Sequence, residues 1–279
     1  MKPLPTVFVS HGAPTYALEP GVAGPGLAAL AQTLPRPAAV LVVSAHWITR
    51  QPLVGAVARP QTIHDFGGFD PALYDILYPA DGHPGLAARA VECLRDAGWD
   101  ASADPARGLD HGAWVPLMHM YPAADVPVFQ VSMPSSLDAD SAIAFGRALA
   151  PLANENVLIL GSGSLTHNLR EFRSRAQADS AYVAEFSGWI SDAVAHGDLE
   201  RLRQALEIAP HARRAHPTSD HFLPLLVAAG AAAQVAPATL LEGGVQYGML
   251  SMDSFVFGQD LAVGTNKPAR MKSLSAEAA

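Results

Sequence analysis

Three histidines follow apolar runs of strand length in this 279-residue chain. The runs at residues 7–9, 39–43 and 157–160 contain many β-branched residues, which is typical of strands buried on both faces of a sheet. His11, His46 and His167 come shortly after these runs. The carboxyl ends of parallel strands open into the crevice where α/β proteins bind ligands. Because imidazole is the commonest metal ligand and also a general acid or base, the pattern predicts a metal site or an acid–base site at that edge.

Two further histidines stand in loops where they can act on the same site. His221 lies beside Asp220 at a predicted helix start, and is a candidate for the third ligand. Asp220 would then either cap the helix or orient a histidine by a hydrogen bond. His111 lies in a tight Asp-His-Gly turn, where an unligated histidine beside a metal is a natural acid or base.

Candidates for substrate contact are His64, in a loop rich in glycine and aromatic residues, and the hydroxyls of Ser10 and Ser164. The remaining histidines are assigned to surface or packing positions: His83, His119, His196, His211 and His216.

Other chemistries lack their sequence patterns. The glycine-serine run at residues 161–164 is not followed by Lys-Ser/Thr, and it has neither dinucleotide-binding nor nucleophile-elbow spacing. No His-Glu-x-x-His pair is present. Cys93 lies in a predicted helix beside Glu92, an acidic setting that does not favour a reactive thiolate.

Composition indicates a globular protein with a large core. Hydrophobic residues make up 49% of the chain, and the net charge of -8 disfavours binding to nucleic acid or to anionic membranes. With a single cysteine there is no intrachain disulfide, which fits a reducing compartment. No signal peptide and no transmembrane helix are expected, so the cytoplasm is the expected location. No feature of the sequence specifies an oligomeric state.

Strand patterns alternate with helical patterns along the chain, which predicts an α/β fold with a central mixed sheet flanked by helices. No change of composition divides the chain. A single domain is expected over residues 1–264, followed by a loose tail at residues 265–279, which are polar and rich in alanine without periodicity.

The histidine motifs, taken together and in order, resemble those of a known family. The motifs are residues 10–14 (SHGAP), 44–47 (SAHW), 62–69 (TIHDFGGF), 110–114 (DHGAW), 166–169 (THNL) and 220–225 (DHFLPL). They closely resemble the DOPA 4,5-dioxygenase family of class III extradiol ring-cleavage dioxygenases, within the protocatechuate 4,5-dioxygenase B-subunit superfamily. The resemblance spans residue 7 to about residue 257.

The resemblance implies a mononuclear metal bound by His11, His46 and His221. It also implies His111 and His167 as the acid–base residues, with His167 an additional ligand in some members. Which of the two is the base stays open. Three imidazoles suit Zn²⁺ as well as Fe²⁺, whereas the two-histidine, one-carboxylate triad of other relatives favours iron. Fe²⁺ is expected for dioxygenase activity, because zinc has no redox chemistry, although zinc is also expected to bind.

The activity that the resemblance implies is cleavage of a catechol ring by O₂ to a muconic semialdehyde-type product. The catechol is DOPA-like or carries another substituent, and the partners are thus this small aromatic substrate and O₂. Two other functions stay open on the same scaffold. One is a zinc-dependent hydrolase, in which metal-bound water is the nucleophile. The other is a non-enzymatic metal-binding protein, which would not need an acid–base pair beside its metal.

Overall fold

A computed structural model describes residues 3–174, 180–261 and 271–274. The strands in chain order are β1 (Thr6–Ser10), β2 (Ala39–Thr49), β3 (Leu53–Gly55), β4 (Ser102–Asp104), β5 (Val128–Pro134), β6 (Val157–Gly163), β7 (Ala238–Leu241), β8 (Val245–Gln246), β9 (Leu250–Ser251), β10 (Ser254–Phe257) and β11 (Met271–Leu274). The α-helices are α1 (Ala23–Thr33), α2 (Pro84–Asp96), α3 (His111–Met120), α4 (Ala139–Leu149), α5 (Leu169–Ser174), α6 (Ala181–Ala195), α7 (Leu199–Arg203), α8 (Ala205–Ile208), α9 (Ala212–Ala215) and α10 (Leu223–Ala231). Short 3-10 helices cover Pro14–Ala17, Pro71–Asp75 and Ala150–Glu155.

Nine of the strands form one mixed sheet in the order β11-β7-β10-β1-β6-β2-β5-β3-β4. The four central strands, β1, β6, β2 and β5, run parallel, whereas β10, β7 and β11 continue the sheet on one side with antiparallel pairing. Strands β8 and β9 form a separate two-stranded ribbon. The predicted α/β fold with a central mixed sheet is confirmed.

Helices cover both faces of the sheet, so the central strands are buried on both sides. Along β1, Val7 and Val9 belong to the apolar core that includes α1 and α3, whereas Phe8 belongs to the core on the opposite face with α4 and α10. Strand β2 alternates in the same way. This two-sided burial explains the continuous apolar runs in the sequence. Among the helices in the described part of the chain, none is long and apolar enough to cross a membrane.

Strand β2 is longer than its apolar run predicts, and it carries His46 inside the strand. Its pairing with β6 ends where Ser44 meets Ser162. Its pairing with β5 shifts register between Val43 and Ile48. A register irregularity of this kind re-aims the side chains of the residues within it. His46 is therefore positioned by a break in strand pairing, not by a strand end.

The C-terminal tail prediction is wrong for residues 271–274, which form the edge strand β11. Met271 pairs with Leu241 and Leu274 with Ala238, in antiparallel register with β7. Burial of Met271, which is 1% exposed, anchors a segment that has no apolar periodicity of its own. Backbone pairing along an open sheet edge needs no side-chain pattern, which is why the sequence did not reveal it. The rest of the predicted tail lies outside the described residues.

Candidate metal centre

Five imidazole rings cluster at the carboxyl-end edge of the parallel strands. His11 directly follows β1, His111 is the first residue of α3, and His221 precedes α10. The ring centroid of His11 lies 4.9 Å from that of His46, 5.4 Å from that of His111 and 5.3 Å from that of His221. His167 stacks on His221 with centroids 3.6 Å apart. The structure thus brings together all five histidines that the sequence placed at a metal or acid–base site.

Three of these rings present their nitrogens to a common point. One ring nitrogen from each of His11, His46 and His221 lies within 4.8 Å of the others. The Nε2 atoms of His11 and His46 are 3.0 Å apart. Burial, followed by the charges of neighbouring histidines, holds the pKa values of His11 and His46 well below the usual range. Both rings are therefore neutral at physiological pH, as metal ligands must be.

Hydrogen bonds on the far side of the rings select which nitrogen faces the centre. The Ser162 hydroxyl donates to the carbonyl oxygen of Gly112, so its oxygen accepts from Nδ1–H of His11 over 2.9 Å. The Nε2 atom of His11 is then left with its lone pair. The Asp220 carboxylate accepts from Nδ1–H of His221 over 2.5 Å. In the His221 ring too, therefore, Nε2 is the atom left with a lone pair.

The donor set fits a bound cation. Nε2 of His221 is buried and has no hydrogen-bond partner within the described residues. An unpaired buried nitrogen is costly, and nitrogen lone pairs held close together repel each other unless a cation lies between them. His11 and His221 are 1% and 5% exposed, so such a cation would be shielded from water. His11, His46 and His221 are the residues that would hold a metal.

Two other groups of potential ligands each contain a carboxylate. They are His46 with Asp65 and His111, and His167 with Asp220 and His221. In both groups the carboxylate already accepts a hydrogen bond from an imidazole Nδ1–H, at His111 and at His221 respectively. These carboxylates are therefore placed to orient histidines, which is the usual arrangement around a histidine-bound metal.

Asp65, a residue without a predicted role, binds His111. One oxygen of its carboxylate, Oδ1, accepts from both the backbone N–H and the ring Nδ1–H of His111, each over 2.9 Å. The other oxygen lies 3.6 Å from Nδ1 of His46. Although burial opposes ionisation, hydrogen bonds and the charge of His111 lower the pKa of Asp65 to about 2. With Nδ1–H bound to Asp65, the neutral form of His111 has Nε2 as its proton acceptor.

His167 is held differently from His111. Its backbone N–H donates to the carbonyl oxygen of Ala215 over 2.8 Å, and its ring plane lies within 6° of that of His221. Burial is the main reason that the pKa of His167 falls to about 3. This ring is therefore neutral at physiological pH, and a proton placed on it would be readily released.

A cavity of about 420 Å³ opens over the histidine cluster. The five clustered histidines and Asp65 supply its polar lining. The rest of the lining is apolar or glycine: Gly12, Ala13, Pro14, Phe66, Gly67, Phe69, Leu169 and Leu250. This volume and mixture are typical of a site for a small organic molecule.

The three predicted substrate contacts lie elsewhere. The Ser10 hydroxyl donates to the Asp253 carbonyl and the Ser164 hydroxyl to the Thr166 carbonyl, and both side chains are 1% exposed. His64 Nε2 binds the carbonyl of Ile76 over 3.0 Å. None of the three lines the cavity. We assign them structural roles, because their polar atoms are already satisfied by the backbone.

Glycines allow the backbone to approach the site closely. A Cβ atom at Gly163 would collide with the carbonyl oxygen of His221. Next to it, the backbone N–H of Ser164 donates to that same carbonyl over 3.0 Å. At Gly112 an added Cβ would collide with the Ser44 hydroxyl and lie 3.1 Å from the His46 ring. Gly163, which belongs to the glycine-serine run at residues 161–164, and Gly112 thus both serve close packing around the histidines.

Comparison with known proteins shows the family. The family model described as the catalytic LigB subunit of aromatic ring-opening dioxygenase matches residues 6–258. A "4,5-DOPA dioxygenase extradiol" of Beta vulgaris is 41% identical over 256 residues, which cover 90% of this chain and 96% of that protein. A protein of the same name from Escherichia coli (strain K12) is 39% identical over 259 residues, covering 91% of this chain and 95% of that protein.

A solved structure has the same fold. The crystal structure of an uncharacterized protein from Escherichia coli K12 matches this chain with a TM-score of 0.73 and 32% sequence identity. The match covers 91% of this chain and 100% of that one.

Proposed function

This chain belongs to the LigB family of aromatic ring-opening dioxygenases and is an enzyme of the extradiol type, and we propose that it cleaves a substituted catechol with O₂ to a muconic semialdehyde-type product. DOPA is one candidate substrate, because it stands in the names of the relatives. The proposal rests chiefly on one observation. Ring nitrogens of His11, His46 and His221 converge at a cavity that two further histidines also line.

The three converging nitrogens would hold the metal, for which we propose Fe²⁺. Bound there, iron would supply the redox-active centre that a catechol and O₂ need in order to react, which zinc does not offer. The residues behind the ligands, Ser162 and Asp220, keep the His11 and His221 rings in the required tautomer.

We propose His111 as the base that removes a phenolic proton. Its Nε2 atom accepts the proton, and the Asp65 carboxylate on the opposite side of the ring stabilises the positive charge that results. The position of His111 at the first residue of α3 is fixed by Asp110, whose side chain caps the helix by accepting from the backbone N–H of Ala113.

His167 is then the second proton-transfer residue. Its low pKa makes it a poor base but a ready donor once it has received a proton. His167 lines the cavity, where it could return a proton to the substrate late in the reaction. One histidine held by a carboxylate and one with a lowered pKa match a reaction that removes a proton early and returns one late.

The test is anaerobic reconstitution with Fe²⁺ or with Zn²⁺, followed by O₂ and a panel of catechols that includes DOPA. We expect O₂ uptake and a yellow ring-cleavage product with iron and neither with zinc. A hydrolase would act without O₂ and with zinc, so turnover under those conditions, or no O₂ uptake across the whole panel, contradicts the proposal.

A further inference from the structure

The part of β2 that carries His46 is held by side chains where its strand pairing is irregular. Pairing with β6 ends at Ser44, and pairing with β5 shifts register between Val43 and Ile48. The Ser44 hydroxyl oxygen accepts from the backbone N–H of His46 over 3.2 Å. The same hydroxyl donates to Oδ1 of Asp110 over 2.7 Å. The backbone of His46 is thereby tied to a carboxylate from a distant part of the chain.

Asp110 is the buried centre of a hydrogen-bond network. Its side chain is 0% exposed, and its two carboxylate oxygens accept four hydrogen bonds. The donors are the Ser44 hydroxyl at 2.7 Å and the Ala113 backbone N–H at 3.2 Å on Oδ1, and the Arg107 guanidinium at 2.7 Å and the Gln130 amide at 2.8 Å on Oδ2. A carboxylate is stable in such a position only when it is paired and hydrogen-bonded. The network joins β2, β5, α3 and the loop before α3.

Arg107 supplies the positive charge for this carboxylate and also contacts β2. Its side chain is 20% exposed, and its guanidinium lies over the Trp47 ring, 4.8 Å from the ring centroid. Trp47 directly follows His46 in the chain. The Asp110–Arg107 pair therefore holds β2 at two points, Ser44 before the histidine and Trp47 after it.

The same carboxylate sets the position of α3 against β2. His111 directly follows Asp110, which caps the helix. A Cβ atom added at Gly112 would lie 2.4 Å from the Ser44 hydroxyl oxygen, so the helix start is packed closely on the strand. The rings of His46 and His111 come from these two elements, and their centroids are 4.0 Å apart. The separation of the two rings thus depends on how the strand and the helix are joined.

We infer, on the basis of the proposed function, that the Asp110–Arg107 ion pair is a positioning device for the site. Through Ser44 it sets the place of His46, the proposed metal ligand. Through the start of α3 it sets the place of His111, the proposed base. Neither member of the pair is among the described residues that line the cavity, so both act through the histidines and not on the substrate.

Asp110→Asn breaks the ion pair and spares the helix cap, because asparagine caps a helix about as well as aspartate. The new NH₂ group cannot accept hydrogen bonds, and the charge of Arg107 loses its partner. We expect Zn²⁺ affinity, measured by titrating the metal-free protein against a chelator, to fall by about 10- to 100-fold. The matched control is Asp138→Asn at the N-cap of α4, where the side chain accepts from the backbone N–H of Ser141 over 2.9 Å. It should leave Zn²⁺ affinity unchanged.

Ser44→Ala removes the link to His46 and retains both charges of the ion pair. Zn²⁺ affinity should fall by about 10-fold. The matched control is Ser132→Ala, because the Ser132 hydroxyl is also buried and also accepts a backbone N–H, from Leu53 over 2.8 Å. The visible spectrum of bound Co²⁺ is a second readout, since its bands depend on the arrangement of the ligands. Affinity and spectrum should change in Ser44→Ala and not in Ser132→Ala, whereas a general loss of stability would affect the two variants alike.

A double-variant cycle tests whether the two charged residues act as one pair. In Arg107→Gln the buried carboxylate loses its cation, and we expect Zn²⁺ affinity to fall by about 10-fold. The double variant with Asp110→Asn leaves neither charge unpaired, so its loss of affinity should be smaller than the product of the two single losses. A loss equal to that product would mean that the residues act independently, which contradicts the proposal.

Turnover of the Fe²⁺-reconstituted protein is measured separately. For a catechol that the parent protein cleaves, kcat of Asp110→Asn should fall by about 100-fold, as for a displaced catalytic group. If the parent cleaves no catechol but metal affinity and the Co²⁺ spectrum change as stated, the proposed function is wrong and the positioning role stands. If the parent cleaves a catechol and the Asp110 and Ser44 variants match it in affinity, spectrum and kcat, the positioning role is wrong and the function stands. Should Asp110→Asn fail to fold, the comparison of Ser44→Ala with Ser132→Ala decides.

Discussion

Asp65 binds His111 twice through one oxygen atom, Oδ1, which accepts from the ring Nδ1–H and from the backbone N–H of the same residue, each over 2.9 Å. Rotation of the ring away from the carboxylate would break the Nδ1–H bond, and the bond from the backbone N–H keeps Oδ1 in position to receive it. The Nδ1–H bond selects the tautomer of the neutral ring whose acceptor is Nε2.

Replacement of Asp65 by asparagine should reduce turnover while the metal stays bound. An asparagine amide carries no charge to stabilise the imidazolium, and its NH₂ group can donate to Nδ1 and so favour the wrong tautomer of His111. We expect kcat to fall by about 100-fold, at the lower end of the effect of a positioned acid or base. Steady-state kinetics with O₂ uptake, together with metal analysis of the purified variant, measure both quantities.

The control for this variant is Asp75→Asn, which changes an exposed aspartate in the neighbouring 3-10 helix. It should retain kcat. Similar losses in the two variants, or loss of metal in Asp65→Asn alone, would mean that Asp65 does not act through the protonation of His111.

Alanine substitutions should separate the metal ligands from the acid–base pair. His11→Ala, His46→Ala and His221→Ala each remove one of three converging nitrogens, so the metal content should drop from about one per chain toward zero. His111→Ala should keep its metal and lose most of its turnover. The exposed His196 provides a control that should retain both. Metal analysis after reconstitution decides the assignment, and it would be reversed by metal loss in His111→Ala with retention in the other three.

The convergence of the histidines was predictable from sequence because the chain topology enforces it. His11 and His167 follow β1 and β6, which are adjacent parallel strands, so their carboxyl ends lie at one edge whatever the details of the loops. The helix that begins beside His221 packs directly on β6. The roles of the individual histidines came from the family resemblance, and they remain predictions.

The role of Asp65 was not visible in the sequence, although its loop was noticed. It lies 46 positions from His111, and nothing in the spacing of the two residues predicts their contact. Its position depends on how the loop packs, with Phe66 against the Trp114 ring of α3 at a centroid distance of 6.4 Å. A carboxylate beside two aromatic residues in a glycine-rich loop was the available signal.

The interruption in β2 that orients His46 was also not predictable from the sequence, because the register of a strand depends on the neighbouring strand.

Replacement of Gly163 by alanine should displace His221 from the centre. The added Cβ would collide with the His221 carbonyl oxygen, and it would lie 3.3 Å from the Pro224 ring, so α10 must shift away from β6. We expect metal affinity to fall by about 10- to 100-fold, as when residues that support metal ligands are changed. We also expect a loss of about 1–3 kcal/mol in the free energy of unfolding, from overpacking. Metal titration and urea denaturation measure the two effects.

Gly188 provides the matched control for this substitution. It lies on the exposed face of α6, and a Cβ added there meets no atom within 4 Å. Gly188→Ala should therefore raise the free energy of unfolding by about 0.5–1 kcal/mol and leave metal affinity unchanged. Equal metal affinities in the two variants would contradict the close-packing role of Gly163.

The buried His216 should make the metal-free protein less stable as the solution becomes acidic. Its Nε2–H donates to the Leu165 carbonyl over 2.9 Å, and its ring packs between Phe186 and Phe222. Burial lowers the pKa of His216 to about 4, below the ordinary value of 6.5 that holds for the unfolded chain. Between these two pH values the unfolded state binds a proton that the folded state excludes, so stability falls as the pH falls from about 6.5 to about 4.

His216→Gln should flatten this dependence, because glutamine does not titrate and its amide can still donate to the Leu165 carbonyl. With chelator present, the loss in the free energy of unfolding between pH 7.5 and pH 4.5 should be smaller in the variant by roughly 2 kcal/mol, which follows from the proton linkage of a single site. Lost packing in the variant shifts its whole curve by a constant and leaves the slope unaffected. Urea denaturation across this pH range measures the slope, and parallel curves for the two proteins would show that His216 is not excluded from protonation in the folded state.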